Sequence, residues 1–148
     1  MSNHASIGDF ALNEEQIKAI ATLGLNYYEQ GQTEKARIMF EGLIATTGTY
    51  YGYAGMGAIA LAQEPPQLDE AYAWLSKAAE LNPNDPSVHA NLGEVLLRQA
   101  KFDAAAAEFH KSLALDPEKR DPGANRARAL ISALLIVTGE LRKMAVAA

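Results

Sequence analysis

Apolar positions along this chain fall at helical spacing, and the same order of positions returns twice more. Each unit leaves a polar turn and reaches an alanine. A large apolar residue follows four positions on, a small or apolar residue three after that, and a helix stop five beyond. The alanines are Ala36, Ala71 and Ala105, which recur 35 and then 34 residues apart. Phe40, Leu75 and Phe109 keep those intervals, and so do the stops Gly48, Pro83 and Pro117. A three-to-four-residue apolar period predicts helices, and recurrence at this length predicts an array of repeats.

The first half of each unit agrees. Leu23-Gly24, Met56-Gly57 and Leu92-Gly93 stand 33 and then 36 residues apart, so the middle unit holds about two extra residues in its turn, with Pro65-Pro66 as the insertion. A large apolar residue followed by glycine on one helix, then alanine and an aromatic or leucine on the next, describes an antiparallel helix pair at close range. Glycine lets the backbones approach, although it costs ~1 kcal/mol relative to alanine in a helix interior. Asn13 with Gln16 has the form of a capping box, Asp85-Pro86 sets an N-cap before a first-turn proline, and Pro83 and Pro117 follow helix ends. The expected organisation is a flexible N-terminal segment over residues 1–12, carrying Ile7 and Phe10, and a single domain over 13–148. Its repeats fall at about 14–48, 49–83 and 84–118. A further helix over about 122–145 carries an apolar stripe of Ala127, Leu130, Ile131, Leu134, Leu135, Val137 or Thr138, and Leu141. That helix is expected to cover the end of the array, and its stripe is wide enough for contact with a second copy.

With those positions in place, the chain resembles a tetratricopeptide repeat (TPR) protein, a family with a period of ~34 residues. The family pattern of Trp, Leu, Gly, Tyr, Ala, Phe, Ala and Pro is answered in the third unit by His89, Leu92, Gly93, Leu96, Ala105, Phe109, Ser112 and Pro117. The second answers with Tyr53, Met56, Gly57, Ala60, Ala71, Leu75, Ala78 and Pro83. The first answers with Ile20, Leu23, Gly24, Tyr27, Ala36, Phe40, Leu43 and, in place of proline, Gly48. The resemblance implies an all-α fold of three helix-turn-helix repeats in a right-handed superhelix with a C-terminal capping helix.

Composition narrows the chemistry. At 148 residues, 49% hydrophobic and 21% charged, the chain is long enough for a buried core and too apolar for intrinsic disorder. A net charge of −5 without a basic run argues against nucleic acid as a partner. There is no cysteine, hence no thiolate nucleophile and no Cys-based metal site. The apolar runs "YAGMGAIALA" and "ALISALLIVTG" fall short of the ~20 residues that a membrane-spanning helix needs, so no direct membrane insertion is expected. The N-terminus has neither the basic nor the apolar region of a secretory signal, which makes the cytoplasm the expected location.

The stretch "GTYYGYAGMGAIALA" has the glycine density of a phosphate-binding loop. A dinucleotide fingerprint needs a preceding strand and a later acidic residue; here a helix precedes, and Gly57 falls in the repeat's close-packing slot. His4, His89 and His110 have no Ser or carboxylate partner at a spacing that would build a nucleophilic dyad on this fold, and His89 occupies an aromatic packing slot. Asp69-Glu70 and Glu14-Glu15 suit helix first turns. No enzyme, cofactor or metal site is expected.

Function is therefore sought on the first helices of the repeats, which in such arrays line a concave groove. The expected peptide-binding residues are Ala21, Leu25 and Tyr28 in the first unit, Tyr51, Tyr53, Ala58 and Leu61 in the second, and Asn91 and Glu94 in the third. TPR proteins that clamp the C-terminal carboxylate of a heat-shock chaperone present Lys and Asn where this chain has Ala21, Leu25 and Glu94, which disfavours that use. An apolar, aromatic groove suits an extended segment with hydrophobic anchors.

One subfamily is resembled more closely. Three repeats in a chain of this size, "NYYEQGQTEKARIMFEGL", "GMGA", "AAEFHKSLAL" and a long final helix resemble the type III secretion chaperones that hold translocator proteins. The resemblance implies a cytoplasmic chaperone whose groove binds a short N-terminal segment of a secreted, membrane-active translocator, and which in some members dimerises. Leu25 and Tyr28 match groove positions of that family. Ala21 departs, since an aromatic is common there, and the N-terminal arm is shorter than usual. The other expectation is a general protein-interaction scaffold or assembly factor.

Overall fold

A computed structural model describes residues 11–147, apart from the side chains of Glu140 and Leu141. Ile7 and Phe10 lie outside the described residues, as does the side chain of Leu141 in the expected stripe. The described residues form seven helices and no strand: α1 (Glu14–Glu29), α2 (Thr33–Thr47), α3 (Tyr50–Leu61), α4 (Leu68–Leu81), α5 (Pro86–Arg98), α6 (Phe102–Leu115) and α7 (Pro122–Ala147). They fall into two compact units, divided between Pro83 and Asn84.

The caps are those the sequence writes. Asn13 accepts from the Gln16 backbone N–H at 2.8 Å while the Gln16 side chain accepts from the Asn13 N–H at 3.0 Å, a reciprocal capping box that opens α1. Asp85 accepts from the N–H groups of Ser87 and Val88 ahead of Pro86 at the start of α5. Gly48 closes α2 in the left-handed region at φ 62°, which suits glycine and explains why the first repeat ends without a proline. The turns inside the helix pairs differ. Residues 30–32 join α1 to α2 and residues 99–101 join α5 to α6, whereas residues 62–67 join α3 to α4 and hold the two prolines, an insertion slightly longer than the spacing suggested. Gly31 takes φ 74° in the first turn, and Ala100 is forced to φ 60° in the third.

The first unit packs through glycine. A Cβ on Gly24 would come within 2.9 Å of the Phe40 ring, one on Gly55 within 2.3 Å of the same ring, one on Gly52 within 2.8 Å of the Phe40 carbonyl oxygen, and one on Gly57 within 2.5 Å of Leu75. Gly57 therefore fills the close-packing slot against α4, and Gly52 and Gly55 bring α3 equally close to α2. This accounts for the glycine-dense stretch: α3 has no charged residue and is covered from both sides, so it needs small residues on two faces. The core there is Ala21, Ala36, Phe40, Leu43, Met56 and Ile59.

The second unit repeats the motif once, with Gly93 against the Phe109 ring, around a core of Ala90, Leu96, Ala105, Phe109 and Ala127. It adds polar links. Ser112 donates to the Pro86 carbonyl at 2.7 Å, filling with a hydroxyl the slot the family gives to alanine. The α7 helix docks on α5 and α6 through Ala124 and Ala127, as expected of a covering helix.

Candidate functional site

The residues expected to form a binding face divide between the two units. In the first unit α1 and α3 lie side by side and present Leu25, Tyr28 and Tyr51. Leu25 is 48% exposed, and Tyr28 and Tyr51 are half-buried, seated on the core with their outer faces open. The Tyr50 and Tyr51 ring centroids are 4.2 Å apart, so the start of α3 is an aromatic platform. Lys18 stands near Tyr51, and the Glu14 carboxylate, bonded to it at 2.7 Å, holds its ammonium above the ordinary lysine range. Ala58 is half-buried on α3, Ala21 is buried in the core, and Leu61 is buried. Tyr53, two residues beyond Tyr51 on a helix, points elsewhere: its ring packs 5.8 Å from Trp74 of α4.

In the second unit Asn91 and Glu94 are engaged by α7. Arg126 donates to the Asn91 side chain and approaches Glu94 Oε2 at 3.1 Å as an ion pair off the line of a hydrogen bond. Arg98 donates to Glu94 Oε1 at 2.7 Å, so this carboxylate, only 8% exposed, sits between two guanidiniums. Ser87 donates to the Asp121 carboxylate at 2.9 Å. Asp121 also accepts from the Ala124 N–H, which caps α7. The Arg126 contact to Asn91 bridges 35 residues of sequence, and no local pattern signals it or the contact to Glu94. Asp121-Pro122 was legible as a second instance of the Asp85-Pro86 start.

His89 pairs with Glu108, nineteen residues away on the next helix, at 2.7 Å from Nδ1 to Oε2. Burial pushes the Glu108 carboxyl up, but hydrogen bonds from His89 and from Lys111 outweigh it and leave it below the ordinary range. An ionised carboxylate only accepts, so Nδ1 carries the proton. The pair is enclosed, with His89 buried. The aromatic packing slot thus holds a ring that also ties α5 to α6. Asp116 does the same for α6 and α7: it accepts from Arg128 at 2.9 Å and from the N–H groups of Arg120 and Asp121. The Arg128 hydrogen bond chiefly holds its carboxyl below the usual range. Among the described residues no group of three acidic or histidine side chains is arranged to hold a metal, and no helix is long and apolar enough to cross a membrane.

The helix pairs, their glycine contacts and their caps are those of tetratricopeptide repeats. Residues 67–100 match the family described as TPR repeat, and residues 86–119 match the tetratricopeptide repeat, so the chain carries repeats of this class. No curated protein matches the chain in sequence. Among solved structures, the type III secretion translocator chaperone SycD of Yersinia enterocolitica superposes with a TM-score of 0.69 at 20% identity, covering 86% of this chain and 89% of SycD. PcrH of Pseudomonas aeruginosa, solved with the chaperone binding region of PopB, gives 0.63 at 25% identity over 80% of this chain and 96% of PcrH. The Arabidopsis OM64 TPR domain gives 0.64 at 21% identity over 80% of this chain and 96% of that domain. The fold is therefore shared with translocator chaperones and with at least one TPR domain of another setting.

Proposed function

We propose that the protein is a non-enzymatic, cytoplasmic chaperone that holds an extended segment of a secreted, membrane-active client of the type III translocator kind, with residues 13–148 working as its binding domain. The observation that carries the reading is the α1–α3 face, where Leu25 is exposed and Tyr28 and Tyr51 are half-buried, seated on a glycine-packed support. Aromatic and aliphatic side chains fixed by packing accept apolar anchors from an extended chain at little entropic cost, each worth ~2 kcal/mol when the anchor is enclosed. Binding of that kind covers the client's apolar segment and keeps it from self-association. SycD is described as a translocator chaperone, and PcrH was solved with the chaperone binding region of PopB, which supports a client of this class. The second reading, a general interaction scaffold, is favoured by the likeness to the OM64 domain.

Purification of the tagged protein from its native cell, with its partners identified by mass spectrometry, separates the two. The chaperone reading expects one stoichiometric partner with long apolar segments. Leu25→Ala and Tyr28→Ala are each expected to weaken its binding ~10-fold, with Leu25→Ala leaving the melting curve in place. Several soluble partners, unaffected by either substitution, support the scaffold.

A further inference from the structure

The negative charge of the chain is unevenly placed. Residues 1–83 hold four Lys and Arg against ten Asp and Glu, whereas residues 84–148 hold nine against eight. Within the second unit Asn91, Glu94 and Arg98 share one face of α5, and Arg126 of α7 reaches the same cluster. Each oxygen of the buried Glu94 carboxylate takes a guanidinium: Oε1 accepts from Arg98, and Oε2 pairs with Arg126. One guanidinium neutralises one carboxylate, so the second leaves the cluster with an excess positive charge. Both arginines reach solvent, their side chains 44% and 52% exposed, and among the described residues neither bonds another acidic group. Arg98 uses one N–H donor on Glu94 and Arg126 one on the Asn91 carbonyl oxygen, which leaves the other guanidinium donors and the Asn91 amide N–H groups without a partner among the described residues.

We propose that this cluster binds a carboxylate, carried by an acidic side chain within a bound protein segment. Glu94 and Asn91 hold two long side chains in place before any ligand arrives, so little freedom remains to be lost on binding. The forked N–H donors of a guanidinium match the planar geometry of a carboxylate. Charge narrows the class further. An excess of one positive charge is balanced by a single carboxylate, whereas a phosphate monoester brings about −1.5 to −2 at neutral pH. The surplus of acidic residues lies in residues 1–83, so the second unit does not oppose the approach of an anion. The positions by which clamping TPR proteins take a chain end hold Ala21, Leu25 and Glu94 here, which favours a side chain over a C-terminus. This inference does not rest on the proposed client, because the cluster lies wholly within the second unit.

Heteronuclear NMR of the full chain, read at the arginine Nε–H and asparagine Nδ2 signals, tests it. The probe is N-acetylglutamic acid amide, whose only charge is its side-chain carboxylate, added to about 20 mM at fixed ionic strength. The Arg98, Arg126 and Asn91 signals are expected to shift together and saturate with a Kd on the order of 1 mM, the strength of a few charge-assisted hydrogen bonds at an open site. Arg98→Gln is expected to weaken binding at least ~5-fold, read at Arg126 and Asn91. Arg120→Gln, at an exposed arginine paired with Glu118, is expected to leave it unchanged. Both replaced side chains reach solvent, so both variants keep the parent's melting curve. Shifts that never saturate, that appear equally at Arg120, or that survive Arg98→Gln overturn the proposal. So does saturable binding of N-acetylalanine or inorganic phosphate without binding of the capped glutamate, which assigns the cluster to a chain end or a phosphate instead.

Discussion

The α3 and α5 helices hold corresponding places in successive repeats and are secured by different physics. Three glycines of α3 meet Phe40, Ile44 and Leu75 at distances that admit no Cβ, and the helix has no charged side chain. One glycine of α5 meets Phe109, and the rest of its hold is polar: His89 to Glu108, the Pro86 carbonyl to Ser112, and Ser87, Asn91 and Glu94 to the start of α7. Close approach depends on shape and is indifferent to pH. Polar linkage depends on protonation and partner. The same backbone arrangement can thus be made robust in two ways, each with its own weakness.

The largest effect expected from this contrast is at Gly55. Gly55→Leu forces a branched side chain into the Phe40 ring, and urea denaturation is expected to show a loss of about 3 kcal/mol or failure to fold. A variant as stable as the parent would show that α2 and α3 are not in the close contact described. The acid response comes next. Glu108 and Asp116 are both held below their ordinary carboxyl range in the folded state, so the stability they lend is present above the unfolded pKa values near 4 and is lost as pH falls below them. Hydrogen exchange between about pH 5 and about pH 2.5 is expected to show α5 and α6 losing protection before α2 and α3. Asp116→Asn is expected to flatten that response, and uniform loss across all four helices would remove the distinction. A smaller effect tests whether the glycine requirement is local. Gly42 lies in α2 with nothing within 4 Å of a Cβ, so Gly42→Ala is expected to gain about 0.5–1 kcal/mol by thermal melting, the reverse of Gly55. The smallest concerns the turns. Ala100 sits at φ 60° where the first repeat has Gly31, and Ala100→Gly is expected to raise stability by about 0.5 kcal/mol, once the relieved strain is set against the freer unfolded chain.

Much of this was legible in the sequence because helical repeats write their packing locally. The intervals between Ala36, Ala71 and Ala105 gave the helix pairs, and Asn13-Gln16 and Asp85-Pro86 gave their starts. Gly57 was legible as a packing residue because it keeps register with Gly24 and Gly93. Gly52 and Gly55 keep no such register, since their partner lies on the preceding helix. On the candidate face, Leu25 is exposed and Tyr28 and Tyr51 are half-buried. Tyr53 turns to Trp74, because a two-residue step on a helix reverses the face. Asn91 and Glu94 were read as open positions, and a half-exposed arginine 35 residues from Asn91 engages both. Long flexible side chains choose partners in three dimensions, which a repeat period does not encode.

The paired starts Asp85-Pro86 and Asp121-Pro122 carry a consequence for engineering. The α7 helix begins as the first helix of another repeat would, received by Ser87 and sealed by its own aspartate. Residue 121 is therefore a splice joint. A consensus helix pair inserted ahead of it, opening with Asp-Pro and keeping a small residue where Gly123 meets Ser87, would inherit a receiving surface that already exists and hand an equivalent one to α7. Lengthening this protein by whole repeats would then be a matter of copying a short junction, with neither core redesigned.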